Sequence, residues 1–143
     1  WSGARSHSGA IRATYALGGN GSALVEHLIV DGTAGMTTVY HLDGADLRMT
    51  HYCAARNQPR LKAEVIDEER GEMRFRFLDI TGGTESGFVD EFAVVLDGRD
   101  TLRLTFAFRY GERRALEHIV LRRKASPPRL PVAPGWNDGG HDR

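Results

Sequence analysis

The chain has 143 residues, with 19 basic and 19 acidic side chains that leave a formal net charge of zero when histidine is neutral. This length fits one domain with a sizeable core, and the balanced charge provides no overall field to attract nucleic acid or anionic lipid. One cysteine, Cys53, excludes an intramolecular disulfide and any Cys-x-x-Cys motif.

The first runs of alternating residues predict two β-strands. Ala10 to Leu17 places apolar side chains at every second position and ends at the glycine-rich stretch 18–21. Ala23 to Val30 follows, and although it could form a short helix, its β-branched end and the Asp31-Gly32 punctuation favour a strand.

A hairpin between Thr37 and Arg60 organises the chain. Asp43-Gly44 separates two alternating runs, and both residues tolerate the positive φ of a type I′ turn. A two- or four-residue turn places the apolar-rich set Leu47, Met49, His51 and Cys53 on the same side as Met36, Thr38, Tyr40 and Leu42. A three-residue loop would pair that set with Thr37, Val39 and His41 instead. We prefer the first register because it groups more apolar bulk.

Five further strands are predicted after a rigid turn at Asn57-Gln58-Pro59: Leu61 to Ile66, Glu72 to Ile80, Phe88 to Leu96, Thr101 to Tyr110 and Ala115 to Arg123. About nine short strands with regular turn signals indicate an all-β antiparallel meander. Closure into an up-and-down barrel of about 9–10 strands would remove exposed edges. We expect the barrel to span residues 1–124, and a disordered Pro/Gly-rich tail to span 125–143.

The hairpin sequence also resembles a known family. Thr38-Val39-Tyr40-His41-Leu42-Asp43-Gly44, followed by Thr50-His51-Tyr52-Cys53 and Asn57-Gln58-Pro59-Arg60, is similar to a family of small bacterial proteins of unknown function with a lipocalin-like (calycin) fold. Trp1 resembles the tryptophan that plugs one end of such barrels. The resemblance implies a meander barrel whose apolar interior holds a small hydrophobic ligand, and it implies no activity.

Strand parity selects the side chains expected to face the interior. The candidate ligand-binding residues are Tyr40, Met49, His51, Cys53, Phe75, Phe77, Phe106 and Phe108. Asp79 and Asp90 are predicted to intrude among them. An unpaired buried imidazole would cost about 1–3 kcal/mol, so an inward His51 needs a partner such as Tyr40, Asp90 or a ligand. Alternatively, these side chains simply fill the barrel.

Three classes of function follow from this sequence. The leading one is binding of a small hydrophobic or amphipathic ligand, with no catalytic residue, metal site or cofactor assigned. The enzymatic alternatives are a haem barrel with His118 as the iron ligand, or His51 as a general base oriented by Asp90 or Asp79. The third is a solid scaffold, monomeric or paired as a homodimer through an exposed strand edge.

The sequence also suggests where the protein resides. No apolar run approaches the roughly 18 residues of a membrane-spanning helix. The opening at Trp1 lacks the charged and apolar segments of a signal peptide. The single cysteine favours a cytoplasmic protein, and the zero net charge predicts no nucleic-acid partner; no membrane span is expected.

Overall fold

The computed structural model describes residues 1–5 and 10–124, so the predicted tail at 125–143 lies outside the described residues. Most of the described residues lie in β-strands. The ten strands are β1 (Ser2–Arg5), β2 (Ala10–Gly18), β3 (Ala23–Val30), β4 (Thr33–Asp43), β5 (Asp46–Tyr52), β6 (Gln58–Asp67), β7 (Glu72–Thr81), β8 (Phe88–Asp97), β9 (Thr101–Tyr110) and β10 (Arg113–Arg122). One 3-10 turn, Gly19–Gly21, joins β2 to β3.

The strands form a closed antiparallel barrel. Each strand pairs with its neighbours in the sequence, and β1 pairs with both β2 and β10 to complete the ring. The predicted up-and-down barrel is therefore confirmed. Strand β1 was not predicted, because its short sequence does not alternate. Gly3 permits its close approach to β10, since a Cβ atom at this position would lie 1.8 Å from the Val120 carbonyl oxygen.

The hairpin of β4 and β5 adopts the preferred register. Thr38 lies opposite His51, and Tyr40 lies opposite Met49. The turn itself differs from the prediction, because Asp43 pairs with Asp46 and leaves Gly44-Ala45 as the two turn residues. Of these two, Gly44 alone has a positive φ, of 62°, which is the pattern of a type II′ turn rather than type I′.

The predicted turn at Asn57-Gln58-Pro59 lies slightly earlier in the chain. Gln58 and Pro59 already belong to β6, where they pair with Thr81 and Ile80. The preceding turn is closed by a hydrogen bond from the Cys53 backbone N–H to the Asn57 carbonyl oxygen, 3.0 Å long. The Asn57 amide is buried and donates hydrogen bonds to the carbonyl oxygens of Gly83 and Gly87, at 3.2 and 2.8 Å. Asn57 therefore anchors the loop between β7 and β8.

The expectation that Asp79 intrudes into the interior is wrong, and Asp90, although only 9% exposed, pairs with surface arginines and does not belong to the core. Asp79 is exposed and forms an ion pair with Arg60. Asp90 lies at a β-bulge in β8 and pairs with the exposed arginines Arg109 and Arg114, at 2.6 and 3.4 Å. One extra residue in a strand changes which side chains face inward, and register shifts occur in both regions.

A solid aromatic core occupies the middle of the barrel. Phe75, Phe92 and Phe106 are each 0% exposed. The ring centroids of Phe92 and Phe106 lie 4.5 Å apart, and those of Phe75 and Phe92 lie 6.0 Å apart. Met49 and Leu61 complete the packing around them. This level of the barrel is filled by side chains.

Removal of one core ring should leave a void in this layer. We expect Phe106→Ala to lower the free energy of unfolding by about 3–5 kcal/mol, because the surrounding strands can relax only partly. Phe108→Ala, on the same strand but half-buried, is the control and should cost less. Urea melts measure both. Equal losses in the two variants would contradict a solid central layer.

Candidate functional site

An apolar pocket opens at one end of the barrel, above the aromatic core. Its volume is about 460 Å³, and it lies at the end where the turns after β2, β4, β6 and β8 meet. Its walls include Leu24, Leu47, Met73 and Leu102. Ligand pockets are generally concave, mostly apolar and about 300 Å³ or larger, and this pocket has those properties.

The mouth of the pocket carries exposed apolar side chains. Leu17 and Leu42 line it, and they are 73% and 70% exposed. Trp1 lines the same mouth, with the Arg123 guanidinium 4.9 Å from its ring centroid. Arg123 also donates a hydrogen bond of 2.9 Å to the Arg99 carbonyl oxygen and pairs with Asp100 at 3.2 Å. The Arg123 side chain is therefore already bonded to other residues of the protein.

A row of polar side chains runs across four adjacent strands, β2 to β5. Tyr15 on β2 lies opposite Glu26 on β3, Glu26 lies opposite Thr38 on β4, and Thr38 lies opposite His51 on β5. The Tyr15 hydroxyl donates to Glu26 Oε2 at 2.6 Å, and the Tyr40 hydroxyl donates to the same oxygen at 3.2 Å. Both tyrosines line the pocket. The Glu26 carboxyl group thus lies one hydrogen bond behind the pocket wall.

Glu26 is the functional candidate that the strand analysis missed. It is 1% exposed, and burial raises the pKa of its carboxyl group, although the hydrogen bonds from Tyr15 and Tyr40 and the nearby Thr38 hydroxyl act in the opposite direction. Its Oε1 atom is buried and has no hydrogen-bond partner among the described residues. Period-two parity places Glu26 on the same face as Leu24 and Leu28, and this pattern could have revealed it.

His51 is fully buried, and its imidazole is neutral at pH 7. Its Nδ1 atom lies 2.9 Å from Thr38 Oγ1, and its ring centroid lies 5.4 Å from that of Phe106. In the described part of the chain, Nε2 has no hydrogen-bond partner. Burial lowers the pKa of His51 to about 4. With Asp79 and Asp90 bound to arginines elsewhere, the proposed carboxylate partner of a His51 general base is missing.

The structure separates the predicted ligand-binding residues into three groups. Tyr40 lines the pocket, whereas Met49, His51, Phe75 and Phe106 lie in the packed interior. Cys53, Phe77 and Phe108 lie toward the opposite end of the barrel. Contact of any of these residues with a ligand stays a prediction. Burial raises the pKa of the Cys53 thiol, which disfavours the reactive thiolate.

His118 faces outward, contrary to the geometry that the haem hypothesis requires. Its neighbours Ile119 and Leu121 are the buried residues of β10, while His118 is exposed and its Nδ1 atom lies 3.1 Å from Thr105 Oγ1. The alternation of β10 permitted an inward His118, but the structure places it on the outer face. His118 is therefore not placed to ligate an iron inside the barrel.

Residues 1–5 and 10–124 contain no group of three or more histidine, cysteine, aspartate or glutamate side chains that could hold a metal ion. Within the same ranges, no helix has the length and apolar character needed to cross a membrane. Comparison of the chain with protein-family models, curated proteins and solved structures found no match. The geometry of the pocket is therefore the basis for any functional assignment.

The buried neutral His51 predicts a loss of stability in acid. The unfolded chain protonates this imidazole near pH 6.5 and the folded chain only near pH 4, so its contribution is complete above pH 6.5 and falls as the pH drops toward 4. The loss should be about 2–3 kcal/mol. Glu26 has the opposite pH dependence, since its raised pKa favours the folded state at low pH.

Urea melts at pH 7.5 and 4.5 on the wild type and on His51→Gln measure this effect. The variant retains Glu26 and every other carboxyl group, so the two proteins differ only in the histidine contribution. We expect the wild type to lose about 2–3 kcal/mol more than the variant between the two pH values. Equal losses would show that His51 is not buried as a neutral group.

Proposed function

We propose that this protein binds a small hydrophobic or amphipathic molecule in the apolar pocket at the end of the barrel. The observation that carries the proposal is an open concavity of about 460 Å³ directly above a solid core. A barrel filled along its whole length would offer no such space. The bound molecule occupies only the upper part of the barrel, because Phe75 and Phe92 close the level beneath it.

The pocket suits a molecule with an apolar body. Leu24 and Leu47 approach from β3 and β5, while Met73 and Leu102 approach from β7 and β9. These side chains come from opposite parts of the barrel wall, so a ligand between them would be enclosed on several sides. Removal of apolar ligand surface from water supplies the driving force for binding.

The lipocalin-like assignment forms part of the same proposal. Its supports are the hairpin sequence around Tyr40 and His51, the closed meander, and the position of Trp1 at one end of the barrel. Carriers of small apolar molecules commonly use such barrels. We further propose that residues 1–124 form the binding domain and that the protein is cytoplasmic, as its single cysteine suggests.

The scaffold alternative loses one of its supports. Pairing of two copies was expected through an open strand edge, but β1 fills the gap between β2 and β10 within the described ranges. Outer apolar side chains such as Leu116 and Val120 are half-exposed on β10. They are scattered among charged residues, and single exposed apolar side chains are normal on a protein surface.

A substitution that fills the pocket should abolish binding without unfolding the barrel. We expect Leu24→Trp to weaken binding of an uncharged fluorescent apolar probe by about tenfold or more, since the indole would occupy the ligand space. Leu116→Trp adds the same ring to the outer face and is the matched control. Titrations are paired with urea melts. The proposal fails if the wild type binds no apolar probe, or if both variants weaken binding equally.

A further inference from the structure

The pocket wall has an unusual polar component next to its apolar surface. Tyr15 and Tyr40 both line the pocket, and both donate their single hydroxyl hydrogen to Glu26 Oε2. A phenol has one hydrogen to donate. With that hydrogen committed to Glu26, the two hydroxyl oxygens can only accept a hydrogen bond from a ligand. This part of the wall therefore favours a group that donates hydrogen bonds.

The carboxyl group behind these tyrosines has no cationic partner. Within residues 1–5 and 10–124, no arginine or lysine forms an ion pair with Glu26, whereas other carboxylates such as Asp90 and Asp79 have arginine partners. The second oxygen, Oε1, is buried and without a hydrogen-bond partner in the same ranges. A buried carboxyl group is either paired with a positive charge or held neutral by a raised pKa, and a cation bound beside it would stabilise the ionised form. The site is thus complementary to a cation that the described residues do not supply.

Aromatic faces add to the attraction for a cation. Trp1, Tyr15 and Tyr40 all contribute to the pocket lining, and the negative face of an aromatic ring attracts an ammonium group. The Trp1 ring already has the Arg123 guanidinium over it, which shows that cation and ring coexist at this end of the barrel. Arg123 is itself paired with Asp100, so its charge is partly balanced at the mouth.

We propose that the ligand is an apolar primary amine whose ammonium group contacts the hydroxyl oxygens of Tyr15 and Tyr40 and is attracted by the Glu26 carboxyl group behind them. This inference rests on the proposed function, because it names the head group of the molecule in the same pocket. The apolar body would lie between Leu24 and Met73, with the ammonium group directed toward the polar row. An apolar carboxylate should bind poorly, since its oxygens and the two tyrosine oxygens are all acceptors and no hydrogen would lie between them.

A series of ligands with one tail and three head groups tests this inference. Octylamine, 1-octanol and octanoate are titrated into the full chain by calorimetry at neutral pH. Because the net charge of the chain is zero, no overall field favours one head group. We expect octylamine to bind about tenfold more tightly than octanoate, with 1-octanol between them.

Glu26→Gln identifies the group that recognises the amine. The substitution preserves the shape and the acceptor oxygen for the tyrosines but removes the ionisable group. It should weaken octylamine binding by about tenfold and change 1-octanol binding by about twofold or less. Asp97→Asn, which removes an exposed carboxylate paired with Arg103, is the control and should leave both affinities unchanged.

The outcomes distinguish the inference from the proposed function. If octanoate binds as tightly as octylamine, or if Glu26→Gln leaves the octylamine affinity unchanged, the amine assignment is overturned while ligand binding stands. If no member of the series and no apolar probe binds, the pocket is not a ligand site and both proposals fail. If Glu26→Gln does not fold, the order in which the wild type binds octylamine, 1-octanol and octanoate decides the question by itself.

Discussion

The pairing of β1 with both β2 and β10 closes the sheet, and the close contact at Gly3 allows the strand to fit. Closure fixes the interior as a narrow space in which every second side chain competes for room. Three phenylalanine rings fill the middle level completely. The apolar pocket lies beyond this level, at the end of the barrel. The position of the pocket is therefore a consequence of closure.

The polar row of Tyr15, Glu26, Thr38 and His51 is costly in this apolar interior. Burial raises the pKa of Glu26 and lowers that of His51. Within the described residues, Glu26 Oε1 and His51 Nε2 are buried and have no hydrogen-bond partner. An apolar row would pack without this cost. Perturbed ionisable groups beside a pocket are a frequent property of functional sites. That property supports a binding role for Glu26, which contacts both tyrosines of the pocket wall.

The two ends of the barrel are built differently. At the end opposite the pocket, backbone pairing of β7 with β8 stops at Arg76 and Glu91, and the rings of Phe77 and Phe88 approach to 4.9 Å beyond that point. Arg76 also forms an ion pair with Glu91 at 3.1 Å, so charges on the outer face reinforce the join where hydrogen bonding ends. Asn57 holds the adjoining loop. The pocket end shows apolar side chains at its mouth instead.

The sequence by itself determined strands β2 to β10, their antiparallel order and the register that joins Thr38 to His51, because these depend on period-two alternation and short turns. It could not determine which alternate face is inside, as His118 shows, since both faces of β10 carry apolar residues. Alternation also does not reveal the bulge at Asp90, whose carboxylate pairs with Arg109. Only the tertiary structure decided the filled core, the pocket and the burial of Glu26, because these depend on side chains from distant strands.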